Sequence, residues 1–124
     1  MLKKISKVLL GLSILMGVSV ASASGGFACK SLDGQIKVDG GDSSAGTWVK
    51  TVELNGKTLI KETDFTADHL YKGSHFSFLI MDQFRNVSLL RVETKPVPGN
   101  EFQFMGTALV NGVDQTQAIV CEFL

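Results

Sequence analysis

The chain is short of nearly everything that marks a dedicated chemistry. Its only cysteines, Cys29 and Cys121, stand far apart, so there is no closely spaced redox dithiol. Its two histidines, His69 and His75, fall in no recognised metal-ligand spacing. No serine sits in a Gly-x-Ser-x-Gly elbow. Gly40-Gly41-Asp42-Ser43-Ser44 lacks both the lysine and the following helix of a phosphate loop. Basic residues are not in excess: twelve Lys and Arg face twelve Asp and Glu. That removes nucleic acid and anionic membrane surfaces from the expected partners. Beyond residue 20 no apolar run is long enough to span a bilayer. There is no internal repeat, no low-complexity tract and, after the first 23 residues, no convincing helix of three turns.

What is present begins with an address. Lys3, Lys4 and Lys7 precede an apolar stretch from Val8 to Val20, and Ala21-Ser22-Ala23 follows it. That order predicts a secretory signal peptide over residues 1–23, cleaved before Ser24. Its lysine-led start and short core look bacterial, so the periplasm or the outside is the expected destination. Residues 24–124 would then form one β domain of 101 residues. All twelve acidic but only nine basic residues lie in it, a net charge of −3.

Export changes how the cysteines read. In an oxidising compartment Cys29 and Cys121 predict a disulfide bracketing the domain. Phe27 and Cys29 share one strand face, and Ile119, Cys121 and Phe123 share another, so both cysteines fall among apolar neighbours. Lipid attachment at Cys29, after Gly26-Phe27-Ala28, is the alternative.

Alternating apolar residues and closely spaced turn dipeptides predict an all-β fold. The expected form is a small antiparallel β-barrel or two-sheet sandwich of about eight short strands. Asn55-Gly56 and Asn111-Gly112 predict tight hairpins, separating Trp48–Leu54 from Lys57–Thr63 and Glu101–Val110 from Val113–Phe123. Phe27–Ser31, Gln35–Asp39, His75–Met81 and Val87–Lys95 supply further strands. Gly40 to Gly46 reads as a flexible loop, and Pro96 to Asn100 as a stop. Phe65–Tyr71 reads equally as a strand or a short helical turn. Inward sets are Phe102, Phe104, Gly106, Ala108 and Val110; Phe76, Phe78 and Ile80; and Trp48, Val52 and Leu54. Leu79 and Met81, opposite the second set, imply a strand covered on both sides.

The densest group of ionisable residues is Asp64 to His75, which holds both histidines, two aspartates and Tyr71. It reads as an exposed polar turn. His69, Tyr71 and His75 are contact candidates there, and Phe84, between Gln83 and Arg85, is another. No catalytic residue, metal ligand or cofactor is assigned. The leading functional expectation is a small exported module that binds an unknown protein or small ligand. A small hydrolase or metal-dependent protein using His69 and His75, or an envelope component joined through strand edges, are the other classes. In layout the chain resembles the periplasmic lysozyme inhibitors. Like them it has a signal, an aromatic-x-Cys start at Phe27-Ala28-Cys29 and a cysteine near the end. The likeness covers order and size. It implies a disulfide-closed barrel that inhibits a secreted hydrolase, and it transfers no site residue.

Overall fold

Hairpin chemistry sets the strand boundaries in the computed structural model, which describes residues 25–124. The expected leader over residues 1–23 and its cleavage point lie outside these. Nine strands follow one another: β1 Phe27–Ser31, β2 Ile36–Ser43, β3 Gly46–Leu54, β4 Lys57–Ile60, β5 Phe65–Lys72, β6 Phe76–Asp82, β7 Ser88–Val97, β8 Asn100–Val110 and β9 Gln117–Phe123. Asn55 and Gly56 both take positive φ, 51° and 84°, as a tight β3–β4 hairpin requires. At the second Asn-Gly pair only Gly112 does, at 83°. There Val113 N–H closes a turn onto Val110 O at 3.0 Å, and pairing resumes only at Gln117. The polar run Asp114-Gln115-Thr116 therefore belongs to a loop rather than to the expected strand.

The strands form one antiparallel sheet in the order β4-β3-β2-β1-β9-β8-β7-β6-β5. Two meanders, β1–β4 and β5–β9, meet where β1 pairs with β9. The free edges come round to each other. Lys61 and Phe65 form a parallel bridge, and β5 runs on beside β3. The result is an all-β, nearly closed barrel, not a two-layer sandwich. Cys29 and Cys121 are direct partners in the β1–β9 ladder; both are buried, and they form the disulfide. Bonded in this way, Cys29 has no thiol left for a lipid.

Several expectations about faces are corrected. Trp48 is not core. Gly40 pairs with Val49 and Asp39 with Thr51, so Lys50 is an extra residue in β3. That bulge reverses the alternation: Val49 and Val52 are buried, and Trp48 turns outward. Its indole lies over Gly41, where a Cβ would collide with the ring, and a Cβ on Gly40 would meet the Phe27 ring. The glycine run is thus strand down to Ser43, chosen for close packing and not for flexibility. Phe102 is exposed at the start of β8, outside the interior set expected for it. Leu79 and Met81 are half-buried on the outer face. Pro96 lies within β7, beyond the last β6 pair at Thr94–Phe76, so its missing N–H costs no ladder bond on that side.

Phenylalanines fill the barrel. Phe27, Phe65, Phe76 and Phe78 are at most 2% exposed, and Phe104 is 4%. Phe76 meets Phe27 and Phe123 edge-on, each with centroids 5.0 Å apart. These rings occupy the space that the nine strands enclose.

Candidate functional site

With its interior occupied, the surfaces the molecule offers are its outside and its two ends. Up-and-down strands sort the connections. One end carries the β1–β2 turn (32–35), the β3–β4 turn (55–56), the β6–β7 turn (83–87) and the β8–β9 loop (111–116). The opposite end carries the β2–β3, β5–β6 and β7–β8 turns and both ends of the described chain, tied by Leu124 N–H to Gly26 O at 2.8 Å.

The sequence candidates divide between these places. Segment 64–75 is not a polar turn: it is β5 with its hairpin, and Phe65 is buried at its start. His69 sits at a bulge between Asp68 and Tyr71 with φ 50°, and its side chain is exposed. Tyr71 and His75 come together at the terminal end, their rings 4.5 Å apart and tilted by 31°. Tyr71 lies across the turn so closely that a Cβ on Gly73 would stand 2.7 Å from its hydroxyl. Phe84 is at the other end. Among the described residues no group of three or more His, Cys, Asp or Glu is close enough to hold a metal ion. The histidines therefore flank the outer face of β6 without converging.

The same terminal end is fastened across the seam. Asp42 of β2 accepts from Thr47 Oγ1 at 2.7 Å and pairs with Lys72 of β5 at 2.8 Å. Lys72 Nζ also stands 4.5 Å above the Phe123 ring. Partial burial pushes the Asp42 carboxyl up, but the hydrogen bonds from Lys72 and Thr47 and the lysine charge outweigh it. The net shift is downward.

Exposed apolar side chains gather at both ends: Trp48, Tyr71, Phe102 and Leu124 at the terminal end, and a second set on the turns of the loop end. Phe84 is 71% exposed, yet its turn is rigid. Asp82 accepts from Asn86 N–H and Val87 N–H, both at 2.6 Å, and Arg85 N–H reaches Asp82 O at 2.9 Å. The bond from Val87 leads in holding the Asp82 carboxyl below the ordinary range. Arg85 accepts a left-handed φ of 60°, a conformation that recurs where a fold aims a side chain for use. In the β1–β2 turn Asp33 accepts from Ser31 Oγ at 2.6 Å and Gln35 N–H at 2.9 Å, and Ser31 leads in lowering its carboxyl. Gln117 of β9, its amide turned to donate, lies 2.8 Å from the same carboxylate. Leu32 N–H bonds Ala118 O at 3.1 Å and Asn111 N–H bonds Leu89 O at 2.9 Å, so neighbouring loops are tied sideways. Leu32, Phe84, Val87 and Val113 project from three of them. Sequence reasoning singled out only Phe84. Leu32 lay between two expected strands, but Val87 and Val113 stood at the first positions of expected strands and so carried no such signal.

Fold and site together define a filled, disulfide-stapled β-barrel that presents loops, rather than one that holds a ligand inside. No protein-family model matches the sequence, and no curated protein and no solved structure shows significant similarity to it. Among the described residues no helix is long and apolar enough to cross a membrane.

Proposed function

We propose that this is an exported binding module, released into the periplasm or beyond by cleavage of its leader, that engages a partner through the loop end. One observation carries the reading. Four large apolar side chains stand exposed on three hairpins that the fold holds rigid and places side by side, away from the chain ends. Exposed apolar clusters on soluble domains mark contact surfaces, and binding residues concentrate on loops fixed by a scaffold. The test is affinity capture from the producing cell's envelope extract with residues 24–124 as bait. The Phe84→Ser/Val113→Ser variant should lose the captured protein. Equal capture by both baits would defeat the reading.

A second reading, inhibition of a secreted hydrolase, is favoured by the disulfide that joins a cysteine near each end of a small barrel. That is the layout of the periplasmic lysozyme inhibitors. Lysozyme activity titrated with the mature domain decides it: stoichiometric loss of activity supports this reading, and unchanged turnover removes it.

A further inference from the structure

Charge at the loop end is one-sided. The three hairpins bearing Leu32, Phe84, Val87 and Val113 also carry Asp33, Asp82 and Asp114, against Arg85 alone. Arg85 is already engaged, with Nη2 3.5 Å from Asp68 Oδ1. The apolar tips are therefore fringed by an excess of carboxylates, with the exposed Lys57 on the adjacent β3–β4 hairpin outside these three. Chemistry at the other end is balanced, because Lys72 and Asp42 neutralise each other there.

Dimensions fit a single contact. The three hairpins use six consecutive strands of the sheet order, β2-β1-β9-β8-β7-β6. At about 4.8 Å between strands, neighbouring loops stand about 10 Å apart and the three tips span about 20 Å of rim. That fits within an ordinary protein–protein patch of about 800 Å² per partner, which is about 30 Å across.

Resting on the reading of the loop end as the contact surface, we propose that its partner is a protein whose surface is cationic around an apolar recess. The exposed Phe84 ring enters the recess on a preformed turn, so little ordering is needed on this side. The carboxylates meet the surrounding Lys and Arg, steer the encounter and reject acidic surfaces. Asp33 and Asp82 are tied into their own turns, so their charge is fixed in position. Their lowered pKa values keep that charge into the acid range.

The test uses the protein captured by the mature domain, purified, in a surface binding assay at low and high ionic strength. Asp114→Lys and Asp33→Asn together should slow association about tenfold at low salt, and high salt should shrink that difference. Asn at position 33 keeps the acceptor that the turn uses. Arg85→Gln should act oppositely and speed association, which a merely unfolded variant does not do. Phe84→Ser should chiefly raise the dissociation rate. If Phe84→Ser abolishes binding while the charge variants and salt have no effect, the loop end binds but the cationic partner is wrong. If neither class of variant matters, or nothing is captured, both ideas fall.

Discussion

One carbon added at Gly106 would be driven into the carbonyl of Glu93 and against Thr94 Cα on the neighbouring strand. Both obstacles are backbone, so the ladder itself must move. Gly106→Ala should destabilise the domain by about 1–3 kcal/mol, the usual cost of overpacking. Urea unfolding followed by tryptophan emission would measure it, and an unchanged midpoint would show that β7 and β8 do not approach so closely. Gly106 was legible from the alternation as an inward strand position suited to a bend or a bulge, while its close approach to β7 was not. Gly40 and Gly41 were not, because two adjacent glycines before Asp-Ser-Ser look the same in sequence whether they serve a loop or an indole. Trp48 was misplaced for a related reason. A single bulge at Lys50 changes which parity faces inward, and nothing in a period-two pattern announces it.

At the level of elements, the β2–β3–β5 seam depends on one carboxylate. Asp42 joins Thr47 and Lys72, and Lys72 reaches from the free edge of β5 over the Phe123 ring. The folded pKa of Asp42 lies below its ordinary value of 3.8. Its contribution to stability is therefore fully present above that value and is lost as pH falls through the lower folded value. Asp33 and Asp82 shift the same way. The melting temperature should be flat near neutrality and fall below about pH 4. Asp42→Asn should lower it at neutral pH and make the acid limb shallower; an acid limb as steep as that of the parent would remove Asp42 from the account. Of this seam the sequence offered only the turns. A pair thirty residues apart, between a loop-like glycine run and a segment that read equally as strand or helix, becomes visible only when the sheet curls.

For the whole molecule, the strand order explains why two cysteines suffice. Each meander is local in sequence and can form from short hairpins, but β1 and β9 come from opposite ends of the chain and pair in the middle of the sheet. The disulfide staples the two meanders at this join, across a sequence separation of 92. This was the most legible long-range feature, because paired apolar faces at both ends and an exported context left the thiols one plausible partner each. Closing such a loop is worth about 4.6 kcal/mol in the chain-entropy model, comparable to the whole net stability of a small domain. Cys29→Ala/Cys121→Ala should accordingly lose most of that stability, lowering the urea midpoint steeply while the slope rises, because the unstapled unfolded chain exposes more surface. The native bond should also resist reductant, since Cys29 is 2% exposed and Cys121 0%. Thiol trapping without denaturant should find almost no free cysteine, and trapping in denaturant with reductant should find both. Rapid reduction of the folded protein with no loss of stability would mean that the β1–β9 ladder and the phenylalanine core hold the barrel shut without the staple.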